Sequence, residues 1–182
     1  FTYPGAKVPA LSDINIKLKK GKTLAVIGKT GSGKSTLANL LLRLYNVEEG
    51  SILVDGYDIN KIPLSILRRK IGYVPQDNFL FSCSIRNNIA FADENLPFEK
   101  IEEAAKITSV YDDIMGFPQQ FDTQLGERGV TLSGGQKQRI SIARAIAKNP
   151  GIMIFDDCLS AVDTKTEEKI LSNLKEVTKD RT

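Results

Sequence analysis

A chain of 182 residues, 41% of them hydrophobic, is long enough to bury the core of one domain. Its 25 basic and 22 acidic residues leave a net charge of +3, too balanced to argue for nucleic acid or an acidic membrane surface as a partner. Cys83 and Cys158 form no CxxC, no zinc-ligand spacing and no disulfide framework, which suits a reducing compartment, and no apolar run reaches the length of a membrane-spanning helix.

Ile14, Ile16 and Leu18 alternate with Asn15, Lys17 and Lys19, a period of two that predicts a strand with one wet face. After a Lys20-Gly21-Lys22 turn, Leu24-Ala25-Val26-Ile27 is apolar on both faces, as a buried central strand would be. It runs straight into Gly28-Lys29-Thr30-Gly31-Ser32-Gly33-Lys34-Ser35. Leu37, Leu40, Leu41 and Leu44 then recur at helical spacing, so the loop opens a helix with one apolar stripe. Ser51 to Val54, Asp55-Gly56 and Tyr57 to Ile59 predict a hairpin, because Asp-Gly favours the positive φ angles of a tight primed turn.

The middle reads as mostly helical. Phe98, Ile101, Ala104, Ala105 and Thr108 mark one face of a helix whose other face pairs Glu102 with Lys106. From Gly134 to Lys148 the positions Ile140, Ala143, Ile146 and Ala147 follow helical spacing, stopped by Asn149-Pro150-Gly151. Ile152-Met153-Ile154-Phe155 reads as a second buried strand ending in Asp156-Asp157. A last helix starts near Asp163, with Ile170, Leu171, Leu174 and Val177 on its buried side. Strands towards both ends with helices between predict an α/β chain: a parallel-stranded core from residues 1–75 and 150–182, with a helical insertion over 76–149. The chain lacks an initial Met and stops at Asp180-Arg181-Thr182, where an α/β fold would add a strand, so it is expected to be a piece of a longer protein.

Residues 28–35 fit Gly-x-x-x-x-Gly-Lys-Ser, the Walker A phosphate loop. Its glycines let successive N–H groups face phosphates, so Gly28, Thr30, Gly31, Ser32, Gly33, Lys34, Ser35 and Thr36 form the candidate nucleotide cradle. Lys34 would reach the β- and γ-phosphates, and the Ser35 hydroxyl would ligate magnesium. Asp156, at the end of an apolar strand, fits a Walker B carboxylate that holds the same ion through its water shell. With no histidine in the chain, a general base must be a carboxylate, a substrate phosphate or a group outside these residues.

Leu132-Ser133-Gly134-Gly135-Gln136 opens the second long helix. Ser133 and Gln136 satisfy a capping box, but two glycines in a first helical turn cost up to about 1 kcal/mol each, and close backbone approach to a ligand would account for them. Each helix start offers unpaired N–H donors and about half a positive charge, so the chain carries two anion-seeking starts where one nucleotide needs one. The second invites a nucleotide held by a neighbouring copy.

Walker A at 28–35, the signature at 132–136 and Walker B at Asp156 together resemble the ATPase domain of an ABC transporter over essentially the whole chain. The resemblance implies a P-loop NTPase (RecA-like) core with an antiparallel β subdomain and an inserted α-helical subdomain. ATP and Mg2+ are the implied cofactors. The implied partner is a second ABC ATPase domain, identical or not, joined head-to-tail so that each ATP lies between one Walker A loop and the other subunit's Ser133, Gly134, Gly135 and Gln136. Tyr3 resembles the aromatic that stacks on adenine, although a lone Tyr near a terminus is more often packing. Gln76 resembles the Q-loop glutamine that ligates magnesium and senses the attacking water, and Ser160-Ala161-Val162-Asp163 resembles the D-loop, which brings Asp163 to the neighbour's nucleotide. Leu80-Phe81 with Ser84 to Ile89, and Gly126-Glu127-Arg128-Gly129, are similar to exporter segments that meet the coupling helices of a transmembrane domain, here expected to be fused N-terminally. That resemblance places the chain at the cytoplasmic face of the inner membrane, with no nucleic-acid partner. The family's switch histidine is expected just beyond Thr182.

One position departs from the pattern. After the Walker B aspartate the family usually has a glutamate as general base, and here Asp157 stands instead. One methylene retracts the carboxylate by about 1.5 Å, a displacement of a size that can cost ~100-fold in rate. The expectation is a site that binds ATP and hydrolyses it slowly, resembling one half of a heterodimeric exporter. The alternative is that the backbone shifts and Asp157 serves normally. A regulatory ATP-binding half, or an ABC-type ATPase acting on DNA or ribosomes, are the other classes, and the short spacing between the two phosphate motifs leaves no room for the long arms of the latter.

Overall fold

The computed structural model of the chain describes residues 1–126 and 132–182. The glycine loop hands over to α1 (Lys34–Leu41), which is followed by the two-residue strands β1 (Leu53–Val54) and β2 (Tyr57–Asp58). These pair antiparallel, with Val54 opposite Tyr57. Asp55 and Gly56 at the turn have φ angles of 51° and 83°, the two positive values that a primed turn requires.

Next come α2 (Leu64–Lys70) and β3 (Ile71–Val74), then the helices α3 (Ile85–Ile89), α4 (Phe98–Ile107), α5 (Tyr111–Met115) and α6 (Gly134–Ala147). The chain returns through β4 (Ile152–Phe155) to α7 (Thr164–Val177). β3 and β4 lie parallel, Ile71 beside Ile152 and Val74 beside Phe155, so their C-terminal ends fall at one edge. α6 packs on α3, α4 and β3. Its buried residues run nearly all round, Gln138, Ile140, Ser141, Ile142, Ala143, Ala145 and Ile146, as expected of a helix with neighbours on every side. Around it gathers the main core, including Val74, Ile85, Ile89, Ile101, Ile114 and Ile170. A second cluster of Leu42, Ile59, Leu67 and Ile71 lies under the hairpin.

Several sequence expectations are corrected. Segments 14–18 and 24–27 carry no strand pairing among the described residues, and Ile14, Leu24 and Ile27 are 51%, 44% and 94% exposed. Apolar pattern states which side chains favour burial, but a strand also needs a hydrogen-bonding neighbour. β4 has β3 on one side. On the other, Met153 N donates to Thr182 O at 2.7 Å and Thr182 N donates to Gly151 O at 3.2 Å. Gly21 N in turn donates to Thr182 Oγ1 at 3.0 Å, so Thr182 stands between β4 and the turn that leads into residues 24–27. For the same reason β4 is half-buried and not enclosed.

The stripe on α1 ends early. Arg43 turns left-handed (φ 49°) and its Nη1 donates to Ile59 O and Ile62 O, so Leu42 points inward and Leu44, beyond the helix, is exposed. Leu171 and Phe98 are also exposed where burial was expected. β3 was not legible as a strand, since its Ile-Gly-Tyr-Val is four residues between a basic helix end and Pro75.

Candidate active site

The loop ahead of α1 turns through a hydrogen bond from Ser32 N to Lys29 O at 3.1 Å and enters the helix at Gly33. Gly33 has φ 93°, and a Cβ there would stand 2.7 Å from both Ala10 O and Leu11 Cδ2, so conformation and space both select glycine. No side chain caps α1. The N–H groups of Gly33, Lys34, Ser35 and Thr36 therefore have no acceptor among the described residues, and the helix dipole adds about half a positive charge at the same point. Lys34 Nζ folds over the loop, donating to Gly28 O at 2.8 Å and Lys29 O at 3.0 Å, which leaves its third N–H free. Thr30, Gly31, Ser32 and Ser35 are exposed, whereas Thr36 is buried. Thr36 Oγ1 accepts from Tyr3 Oη at 2.9 Å, and the Tyr3 ring sits edge-on between Phe1 and Tyr45, its centroid 5.1 Å from each. Tyr3 is thus tied to the loop from 33 residues away.

At the edge of the β3–β4 pair the two chains leave side by side. Asp156 N donates to Val74 O at 3.0 Å, extending the ladder by one step. Asp157 then takes a left-handed conformation, φ 48°, and its Oδ2 accepts from Gln76 Nε2 at 3.3 Å. Beneath them, burial and then the Asp156 charge hold the Tyr73 phenol above its ordinary range. Ser35, Gln76 and Asp156 offer a hydroxyl, an amide oxygen and a carboxylate, all hard oxygen donors of the kind Mg2+ takes together with water. The Gln76 amide nitrogen is committed to Asp157, which leaves its oxygen as the free end, and the donor set fits the ion.

The start of α6 is built differently. Ser133 Oγ accepts from Gln136 N at 3.2 Å and Gln136 Oε1 accepts from Ser133 N at 3.0 Å, the reciprocal capping box. The N–H groups of Gly134 and Gly135 have no acceptor among the described residues. Gln136 Nε2 donates to Asp113 Oδ1 at 2.9 Å, and Arg139 Nη1 pairs with Asp113 Oδ2 at 2.8 Å, so α5 fixes the signature helix. A Cβ on Gly135 would lie 2.9 Å from Ala161 O, and one on Gly134 would lie 3.3 Å from Ala161 Cβ. The glycines therefore admit the turn at 160–163, a reason that the sequence left to a ligand alone. Asp163 caps α7, accepting from Thr166 N at 3.0 Å, and the Thr166 hydrogen bonds hold its carboxyl below the usual range. Ser133, Gly135, Arg139, Ala161 and Asp163 line a cleft of about 340 Å³.

The structure thus joins Tyr3 to Thr36, Gln76 to Asp157, and the signature turn to Ala161 and Asp163; no hydrogen bond among the described residues joins α1 to the start of α6. Of the segments assigned to coupling, Glu127 to Gly129 lie outside the described residues. Ser84 caps α3 by accepting from Asn87 N at 3.1 Å, and Leu80 is buried. Phe81 stacks on Phe91 at 4.2 Å, with Phe79 edge-on at 5.0 Å and the Arg144 guanidinium 5.3 Å from the Phe81 centroid. Phe79 and Phe91 are half-exposed. Arg139, Asp113 and Gln138 escaped the sequence reading, though Gln138 among Ile142, Ser141 and other inward positions of α6 is the anomaly that would have flagged it.

The model of the ABC transporter family matches residues 11–160. The ATP-dependent lipid A-core flippases of Yersinia pestis bv. Antiqua (strain Antiqua) and Escherichia coli (strain K12) are 49% and 48% identical over 183 aligned residues, covering 100% of this chain and 31% of theirs. The chain thus spans about a third of the length of these curated relatives. Among solved structures, a bacterial Atm1-family ABC exporter with ATP bound aligns with 90% of this chain and 28% of its own, at 45% identity and a TM-score of 0.86. The matched stretch carries the glycine loop, Gln76, the signature turn and the Asp156-Asp157 pair on a P-loop NTPase fold, and with that agreement of sequence and fold the chain belongs to the ABC transporter family.

Proposed function

We propose that this chain is the ATP-binding and hydrolysing motor domain of an ABC exporter, which dimerises head-to-tail with a second ABC ATPase domain around two ATP molecules. The observation that carries the reading is that α1 and α6 each present open N–H groups to an anion, while α6 packs on α3, α4 and β3. Gly28 to Thr36 cradle the triphosphate, Lys34 turns its ammonium from the loop carbonyls to the β- and γ-phosphates, and Tyr3 lies against the base. Ser133, Gly134, Gly135, Gln136 and Asp163 close on the nucleotide of the neighbouring subunit. Ser35, Gln76 and Asp156 would hold Mg2+, which would supply neutralisation of charge on the phosphates. Asp157 accepts a proton from the attacking water, whose position Gln76 reads through its contact with the same carboxylate.

The division into a core (1–75 and 150–182) and a helical part (76–149) is supported by the β3–β4 pair, which brings together the two ends of the helical stretch. A transmembrane domain of the same protein is supported by the threefold greater length of the relatives, and no helix of the described residues is long and apolar enough to cross a membrane. The half-exposed Phe79 and Phe91, with Arg144 behind them, form the face that meets its coupling helices at the cytoplasmic side of the inner membrane. Closure of the dimer on ATP and its reopening after hydrolysis then alternate the access of the membrane part. A second reading, a slow or regulatory half-site, is favoured by Asp157 in place of glutamate.

Mixed dimers of the full transporter test the reading. One subunit carries Lys34→Ala and the other Gly135→Asp. Both lesions fall on one composite site if nucleotides are shared between subunits, so one ATP per dimer remains trapped. Loss of both would show that each subunit holds its own nucleotide, and the proposal would fail.

A further inference from the structure

We infer that Gln138 is a positioning residue for Asp157, clamping the turn that carries this carboxylate to the helix that carries Ser133-Gly134-Gly135. Gln138 lies on the second turn of α6 and is only 6% exposed. Both ends of its amide are used: Oε1 accepts from Ala161 N at 2.9 Å, and Nε2 donates to Ser160 Oγ at 3.2 Å. Ser160 passes the link on, its hydroxyl donating to Asp157 O at 3.2 Å. A side-chain amide sets a donor and an acceptor side by side, and at this length only glutamine does so. A buried amide without partners would be costly, so its place on an apolar helix face is accounted for by the turn that it reads.

The turn needs such a clamp. Asp157 has φ 48°, in the left-handed region that aspartate enters more readily than most residues but still at some cost, so the turn gains from contacts that hold it there. Among the described residues, the hydrogen bonds that hold it come from Ser160 on its carbonyl and Gln76 on its carboxylate. Gln138 secures the first. The open N–H groups of α6 and the carboxylate of Asp157 consequently move as one body. Loss of the clamp frees Asp157 by a fraction of the ~1 Å that costs ~100-fold. This inference rests on the ATPase reading above.

Steady-state ATPase kinetics of the full transporter test it with Gln138→Met, Ser160→Ala, their combination and Lys34→Ala. Gln138→Met keeps the side-chain length and removes both hydrogen bonds. It is expected to lower kcat ~10-fold with KM for ATP within about twofold, because the phosphate cradle is untouched. Ser160→Ala is expected to lower kcat severalfold, and the double variant to be no slower than Gln138→Met by more than about twofold, since both cut one link. Gln138→Glu, which keeps the acceptor for Ala161 N, should fall between parent and Gln138→Met. Full kcat in both single variants, a raised KM at unchanged kcat, or losses that multiply in the double variant would overturn the clamp. If Gln138→Met does not fold, Ser160→Ala at its exposed position decides alone. Activity in Lys34→Ala would instead sink the ATPase reading, whereas an inactive Lys34→Ala beside a fully active Gln138→Met would sink only the clamp.

Discussion

Gln76 Nε2 donates to Asp157 Oδ2 at 3.3 Å, joining the second residue beyond β3 to the second residue beyond β4. The parallel register makes this meeting unavoidable: Val74 stands beside Phe155, so equal steps past the two strands arrive at the same place. The bond is long, as suits a carboxylate one methylene short of its partner's reach. Under the ATPase reading proposed above, extending the side chain should bring the carboxylate forward to the attacking water.

Asp157→Glu is therefore expected to raise kcat of the full transporter by about tenfold or more, within the ~10²–10⁴ that a well-placed general base supplies. Turnover by the variant against parent checks it. No gain in rate would count against the idea of an impaired site and favour an Asp157 that already serves.

Gly33→Ala should weaken nucleotide binding. The added Cβ meets Ala10 O and Leu11 Cδ2, each at 2.7 Å, and the backbone sits at φ 93°, so the loop must either shift or distort the start of α1. Strain of this kind costs about 1–3 kcal/mol. Titration with a fluorescent ATP analogue should show affinity about 5- to 150-fold weaker, by the rule that 1.4 kcal/mol is one decade, whereas Gly31→Ala, with open space around its Cβ, should lose less.

How much of this was legible in the sequence depends on whether a residue's role is local. The Asp55-Gly56 turn, the Ser133–Gln136 capping box and the Glu102–Lys106 ion pair are set by neighbours within four residues, and each forms as expected. Segments 14–18 and 24–27 carry the pattern of strands without pairing as strands, because the pattern is local but a strand's partner is not. The meeting of Gln76 with Asp157 is remote in sequence; the family resemblance implies a role for each residue but not their contact, which the structure supplies. Gln138 carried no motif, and its meaning needed the turn at Ser160 and Ala161. At Gly135 the sequence points to room for a ligand, whereas in the structure Ala161 O lies where a Cβ would stand.

Cys158 should be inert to alkylation until the chain unfolds. Burial, aided by the Asp157 and Asp156 charges, pushes its thiol from an ordinary 9.0 up to about 12. At pH 8 that leaves only about one thiolate in 10⁴. Because the folded-state value is raised, the associated stability is complete below pH 9 and is lost as pH rises towards 12, at up to about 1.4 kcal/mol per pH unit. Iodoacetamide labelling followed by mass spectrometry should modify Cys158 only with added denaturant, and Cys158→Ala should flatten the alkaline loss of stability. Fast labelling of the folded chain at pH 8 would refute the assignment.

Arg144 should be the costliest charge to remove from α6. Its Nε donates to Asn88 O at 2.8 Å, Nη2 to Asn88 Oδ1 at 2.7 Å and Nη1 to Phe79 O at 2.9 Å, while Asn88 itself is fully buried. Burial lowers the guanidinium pKa to about 10, still far enough above neutrality to keep it charged. Arg144→Met retains an unbranched apolar stem but removes the guanidinium that lies beside the stacked Phe81 and Phe91 rings and strands the acceptors of Asn88 and Phe79. Asn88 O loses its partner away from solvent at a cost of about 1–3 kcal/mol, while Phe79 O is exposed to water and Asn88 Oδ1 still accepts from Phe81 N, so with the lost charged hydrogen bonds a loss of about 3 kcal/mol is expected. That corresponds to a fall in Tm of roughly 6–12 °C for a domain of this size. Arg144→Lys keeps the charge and one or two of the bonds, so it should lose about half as much. Denaturant unfolding of parent and variants distinguishes this from a role confined to the surface: if Arg144→Met unfolds at the parental midpoint while transport activity drops, Arg144 serves the Phe79–Phe91 face alone and the buried hub with Asn88 contributes little to holding α3 against α6.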